Sequence, residues 1–235
     1  MKISSFIKSE ILNGNAILFL GAGASIPSFS KDGIKKGLSG NQLRDALSDQ
    51  FLGGASKSKS LSHVSSLAFN QAGTSNVHDF IFNLVDELEP TKAHELITKF
   101  RWKAIITTNY DRVVEKTYER SSETQQKLKR VISNSDSIQK IVSDPQNLPY
   151  LKIHGCVTRL NDPHLPLILS GENYYKFRDN RDSLFNQLKE WAVNYPIIFC
   201  GYSIADENIR DLIMDVEDNN IHRPMYIFID PFIED

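Results

Sequence analysis

The sequence predicts an α/β domain with a doubly wound, mostly parallel sheet and helices on both faces. Three observations carry this. Short apolar runs of strand character recur along the chain, and stretches of helical periodicity alternate with them. Several of the runs are nearly continuous in Ile, Leu and Phe, as strands covered on both faces require. With 235 residues, the chain is long enough for one sizeable core and reads as a single domain over residues 1–235.

Taken in order, a helical pattern over 4–12 leads into the first apolar run, 16–20. Helical patterns at 42–51, 77–88 and 93–100 precede the second run, 104–107, and another at 110–119 follows it. Apolar runs at 150–153 and 165–169 read as the next two strands. A helix at 182–194, a strand at 197–200, a helix at 206–217 and a strand at 225–229 complete the pattern. Three stretches read as loops. Residues 28–41 hold three Gly and three Lys, 53–66 are rich in Gly, Ser and Lys, and 121–149 are polar and end in Asp-Pro-Gln-Asn-Leu-Pro, which is turn chemistry. The first two are candidate lids.

Composition narrows the function. Lys plus Arg total 27 and Asp plus Glu 29, for a formal charge of −2, which argues against a generic nucleic-acid or membrane-surface binder. The two cysteines, Cys156 and Cys200, cannot supply a four-thiolate zinc site or a disulfide framework. His63, His78, His94, His164 and His222 read as surface or packing residues, none at metal-ligand spacing from another His or Cys, so no metal is expected. No run reaches the roughly 18 apolar residues of a membrane helix, and the N-terminus does not read as a signal peptide. A cytoplasmic location is expected.

Ligands on doubly wound sheets sit at the carboxyl ends of the strands, so the residues after each run are the candidates. The first run enters Gly21-Ala22-Gly23-Ala24-Ser25. Glycines let a backbone approach a phosphate, and N–H groups at a helix start bind anions. Ile26 stands where a dinucleotide fingerprint has its third Gly, so a tight turn that merely needs glycine is the alternative. The second run enters Thr107-Thr108-Asn109-Tyr110-Asp111. Asp111 can cap the following helix, and Asn109 can hold a ribose hydroxyl or orient a water. The third ends in His154-Gly155-Cys156, where His154 is either a general base or a structural His; nothing marks an orienting group for a Cys156–His154 nucleophile pair. The late run enters Gly201-Tyr202-Ser203, with Asp206 as a cap of the next helix.

Together and in this order, the GAG-x-S loop, the T-x-N-x-D segment, the HG dipeptide and the G-x-S loop resemble the sirtuin superfamily. The resemblance implies that Gly21, Ala22, Gly23 and Ser25 hold the pyrophosphate and neighbouring ribose of NAD. It places Thr108, Asn109 and Asp111 at the nicotinamide ribose, makes His154 the catalytic base, and has Gly201 and Ser203 hold the adenosine half. Two features depart from the deacetylases of that superfamily. Ser25-Ile26-Pro27-Ser28-Phe29-Ser30 lacks the Asp and Arg of their G-I-P-D-F-R segment, and no paired cysteines follow His154-Gly155 to form their zinc module. The Thr-Thr-Asn-Tyr-Asp and Gly-Tyr-Ser-Ile-Ala-Asp-Glu-Asn forms look instead like sirtuin-like domains of bacterial antiphage defence. That branch implies hydrolysis of NAD to nicotinamide and ADP-ribose by an N-terminal effector of a longer protein. Such an effector acts as a homo-oligomer and with a sensor domain or partner, Thoeris-type proteins and partners of short Argonautes being known settings. The alternatives are an NAD-dependent protein deacylase and a non-catalytic sensor of NAD or ADP-ribose.

Overall fold

The computed structural model describes residues 3–203, 206–218 and 226–229, with 215–218 and 226–229 described by their backbone alone. Six strands, β1 (Ile17–Leu20), β2 (Ala104–Thr107), β3 (Lys127–Val131), β4 (Asn147–Lys152), β5 (Ile197–Cys200) and β6 (Tyr226–Ile229), form one sheet in the order β3-β4-β2-β1-β5-β6. Every neighbouring pair is parallel, so all the strands end on the same edge. The helices are α1 (Ser5–Leu12), α2 (Ala22–Ser25), α3 (Gly40–Leu52), α4 (Leu61–Ala72), α5 (Thr74–Val85), α6 (Lys92–Ile97), α7 (Val113–Arg120), α8 (Ile138–Val142), α9 (Gly171–Tyr175), α10 (Asp182–Asn194) and α11 (Glu207–Asp218). Among them no helix is long and apolar enough to cross a membrane.

The near-continuous apolar runs follow from burial on both faces. Alternate residues of the central strands point to opposite sides. Ile17, Phe19, Ala104, Ile106, Leu151 and Phe199 meet Leu184, Phe185, Leu188 and Trp191 of α10 and Ile209 and Leu212 of α11. Leu18, Leu20, Ile105, Tyr150 and Ile198 meet Ile7 of α1 and Val114 and Tyr118 of α7. A third cluster joins α3, α4 and α5 through Leu43, Leu47, Val64, Ala68, Val77 and Ile81. It also takes in Val157, Leu167 and Leu169, which lie beyond the end of β4, so these helices stand over the carboxyl edge of the sheet.

The structure departs from the sequence pattern in several places. Residues 165–169 form no strand. Pro166 lies inside the run, and a proline has no N–H to give a central ladder. The segment is still apolar for good reason, since Leu165, Leu167, Ile168 and Leu169 are all buried. Conversely, β3 lies within the expected loop 121–149. Its sequence, Lys-Leu-Lys-Arg-Val, is polar because it is the edge strand and buries only Val131 fully; Lys at an edge also discourages further pairing. Lastly, α4 begins inside the expected loop 53–66. Ser60 is its N-cap, accepting from the His63 N–H at 3.3 Å, so the Ser-rich stretch is partly a helix start. Met225 of the expected last strand lies outside the described residues.

Candidate functional site

Two glycine-bearing turns, from β1 and β5, lock together. The Gly21 N–H donates to the Cys200 carbonyl at 3.0 Å and the Gly23 N–H to the Gly201 carbonyl at 2.8 Å. A Cβ on Gly21 or Gly23 would lie within 2.5–2.7 Å of Gly201 backbone atoms, and one on Gly201 would lie 2.3 Å from the Ala24 nitrogen. Gly201 also has φ +61°, a left-handed conformation that costs other residues about 1–2 kcal/mol. These three glycines are thus accounted for by close loop packing, and the N–H groups of Gly21 and Gly23 are bonded within the protein. Ala22 stays half-buried at the start of α2, and Ser203 is exposed. Gly37, from the loop 28–41, presses onto the same turn: a Cβ there would sit 1.8 Å from the Ser25 carbonyl oxygen.

Beneath that turn the β1 and β2 exits share a chain of hydrogen bonds. Thr107 Oγ1 donates to the Leu20 carbonyl at 2.8 Å and accepts from the Asn109 N–H at 3.0 Å. Asn109 Nδ2 donates to the Gly21 carbonyl at 2.8 Å and to Ser25 Oγ at 3.1 Å. Ser25 Oγ in turn donates to Asp111 Oδ2 at 2.9 Å, and Asp111 Oδ1 accepts from the Val113 N–H at 2.9 Å, at the start of α7. Both amide protons of Asn109 are committed, and among the described residues nothing donates to its Oδ1. Asn109 and Thr108 are half-buried, whereas Ser25 and Asp111 are buried. Capping and site organisation are therefore two uses of the one Asp111 side chain.

Two buried side chains support this array. Lys152, fully buried at the end of β4, donates through Nζ to the Asp111 carbonyl and lies 3.5 Å from Glu115 Oε1. Burial alone lowers a lysine pKa, but Glu115, with help from Cys156 and Asp111, holds Lys152 above its ordinary value. His94 is buried too. Its Nδ1 meets Thr91 Oγ1 at 2.8 Å. Burial holds its pKa below the ordinary 6.5, against the charge of Asp111 and a bond to the Ala24 carbonyl. The sequence marked His94 only as a surface or packing residue.

His154 follows β4, next to the β2 exit in the sheet. Its Nε2 lies 2.8 Å from Asp206 Oδ2, each side chain 6% exposed. The Tyr174 ring stands edge-on to the imidazole at a centroid distance of 5.7 Å, and the His154 carbonyl accepts from the Ile168 N–H at 3.0 Å. Tyr110 Oη donates to the Ile168 carbonyl at 2.7 Å. Cys156 is not part of this group; its thiol meets Thr158 Oγ1 at 3.3 Å and Arg130 at 3.9 Å. Among the described residues no three His, Cys, Asp or Glu side chains converge as metal ligands. Clefts of about 250 Å³ and 370 Å³ lie elsewhere, one lined by Asn13, Arg101 and Lys103 at the amino edge of the sheet, the other by Glu115, Tyr118 and Arg130.

A family model for the SIR2-like domain matches residues 103–234, a span that holds Asn109, Asp111, His154 and Asp206. The chain belongs to the SIR2-like domain family. Within this family it is similar to a protein named defense-associated sirtuin 2 from Bacillus subtilis, at 23% identity over 227 residues, covering 93% of this chain and 21% of that protein. It is also similar to two proteins named NAD(+) hydrolase ThsA. The one from Enterococcus faecium is 24% identical over 135 residues, covering 57% of this chain and 26% of the relative. The one from Cytobacillus dafuensis is 24% identical over 209 residues, covering 88% and 39%. The SIR2-like chain thus spans between about a fifth and two fifths of these relatives.

Proposed function

We propose that this SIR2-like domain hydrolyses NAD at the nicotinamide–ribose bond, releasing nicotinamide and ADP-ribose, as the effector of an antiphage defence system. The observation that carries the reading is the half-buried Asn109, held by both amide protons with its Oδ1 free of donors among the described residues, on the strand exit beside that of His154. The names of the relatives support NAD as substrate and defence as setting.

The donor set fits a dinucleotide. Asn109 Oδ1 is an acceptor for a ribose hydroxyl or a water, presented by a residue with no freedom to turn away. NAD brings its own good leaving group, so the site need supply no strong acid. The chain's residues then have two tasks. Asn109, fixed by Gly21 and Ser25, orients the attacking water or the ribose hydroxyls. His154 accepts the proton given up as the new C–O bond forms. Thr108 and Asp111 line the nicotinamide ribose, and Ala22, Ser25 and Ser203 serve the remainder of the dinucleotide, with Gly21, Gly23 and Gly201 holding the turns in place. None of these steps calls on a metal. In the cell the domain works in the cytoplasm as a homo-oligomer, restrained until a sensor region or partner, Argonaute-type proteins among them, releases it.

The test is chromatography of NAD and its products with the full-length protein in its activated state. Wild type is expected to yield nicotinamide and ADP-ribose. Asn109→Ala and His154→Ala should each reduce turnover by at least about 10²-fold while the far-ultraviolet signal shows the fold retained. Wild-type turnover in both variants would overturn the assignment.

A further inference from the structure

We propose that Asp206 is the positioning residue of His154, fixing the imidazole with its proton on Nε2 so that Nδ1 faces the reaction as the base. The inference rests on the NAD-hydrolysis reading for its catalytic meaning but not for its geometry. Sequence reasoning makes Asp206 a helix cap, and it is one. Its Oδ1 accepts from the Asn208 N–H at 2.9 Å and from the Ile209 N–H at 3.4 Å, at the start of α11. That leaves Oδ2, which has no aligned donor among the described residues and lies 2.8 Å from His154 Nε2.

This contact is not a local accident of the chain. His154 follows β4 and Asp206 follows β5, and β2 and β1 stand between those strands in the sheet. Three strand spacings amount to about 14 Å, so both side chains reach across the carboxyl edge to meet. Both do so almost wholly out of water. A buried carboxylate without a partner is costly, which makes a chance meeting of these two groups unfavourable.

The chemical consequence follows from the two ring nitrogens. An Nε2–H directed at a carboxylate leaves Nδ1 as the unprotonated nitrogen. When Nδ1 takes a proton, the carboxylate stabilises the imidazolium that forms. Asp206 is suited to this. Burial pushes its carboxyl up, but the His154 imidazole and the Asn208 and Ile209 N–H groups outweigh it and hold it below the ordinary 3.8. The cap anchors the carboxylate to α11, and the Tyr174 ring at 5.7 Å limits rotation of the imidazole.

The decisive variant is Asp206→Asn, because Asn caps a helix about as well as Asp but carries no charge and can donate to Nε2, forcing the proton onto Nδ1. In the full-length activated protein, Asp206→Asn should keep the thermal midpoint and the KM for NAD while kcat falls by about 10²–10⁴-fold. Asp206→Glu should recover part of kcat. An unchanged kcat in Asp206→Asn, or a rise in KM alone, would overturn the proposal and leave Asp206 a cap. A second measurement needs no turnover. ¹⁵N–¹H correlation of ring-labelled histidine should show His154 protonated on Nε2 in the wild type and on Nδ1 in Asp206→Asn. A wild-type signal from the Nδ1–H form overturns the positioning role whatever the activity. If instead the activated wild type leaves NAD intact, the hydrolase reading fails, and the tautomer experiment still decides the pairing.

Discussion

Gly201 shows how a single residue carries two demands that a sequence motif merges into one. In a G-x-S turn it reads as a ligand contact, yet its φ of +61° and the 2.3 Å that a Cβ would leave to the Ala24 nitrogen are requirements of the fold. Gly201→Ala must take up a left-handed strain of about 1–2 kcal/mol and also part the β1 and β5 turns. We expect it to lower the thermal midpoint by roughly 4–8 °C, at about 2–4 °C per kcal/mol for a domain of this size. Exposed Ser203 replaced by Ala should stay within about 0.5 kcal/mol of wild type. Scanning calorimetry of the two variants distinguishes a packing glycine from an indifferent one, and equal midpoints would refute the packing account. Asn109 and His154 were legible in the sequence because each is a polar residue just after an apolar run. The pairings of His94 and Asp206 were not. Their importance comes from a partner far away in the chain, Ala24 and Asp111 for one and His154 for the other, and no local spacing encodes such pairs.

Among the elements, α7 and β4 are joined by a buried charge pair. Lys152 alternates correctly as a strand residue but places an ammonium where no water reaches, and Glu115 of α7 is 3.5 Å away. Arg130 of β3 approaches the same carboxylate at 3.7 Å. Removing one partner of a buried pair strands the other. Lys152→Met should therefore cost about 3–5 kcal/mol, and adding Glu115→Leu should restore most of it. Urea unfolding of the two single variants and the double variant gives the coupling; additive losses would show that the two charges do not act as a pair. The same pairing reaches the site, because Lys152 Nζ also holds the Asp111 carbonyl. Element boundaries were legible where burial on both faces left no choice, as in β1, β2 and β5. They failed where the environment is asymmetric. Edge strand β3 needs little apolar surface, and 165–169 needs much of it without being a strand, because its role is to fill the space under α3, α4 and α5.

At the scale of the whole molecule, the buried tyrosines set an upper limit in pH. Burial raises Tyr110 and Tyr150 well above 10, and burial also raises Tyr118, Tyr174 and Tyr202. Lys152 is raised as well, Glu115 outweighing the effect of burial. In the unfolded chain the tyrosines ionise near 10, so above that pH the unfolded state loses protons that the folded state retains. Stability is complete below about pH 10 and falls as pH rises beyond it. Tyrosinate absorbance from these five should then appear together with loss of the far-ultraviolet helix signal. Ionisation of all the tyrosines near pH 10 with the fold intact would contradict this.

What the sequence determined by itself was the periodicity of burial and the chemistry available at each strand end. Both are local properties: apolar runs, turn residues, a polar side chain one or two positions beyond a strand. From them came the parallel α/β sheet, the carboxyl edge as the candidate site, and Asn109 and His154 as candidates within it. Only the tertiary structure decided which groups meet. It set Gly201 against Gly21 and Gly23, it drew Ser25, Asn109 and Asp111 into one hydrogen-bonded chain, and it brought Asp206 across two strands to His154. Those contacts depend on strand order, β3-β4-β2-β1-β5-β6, which is a global outcome of packing and is written in no single stretch of residues.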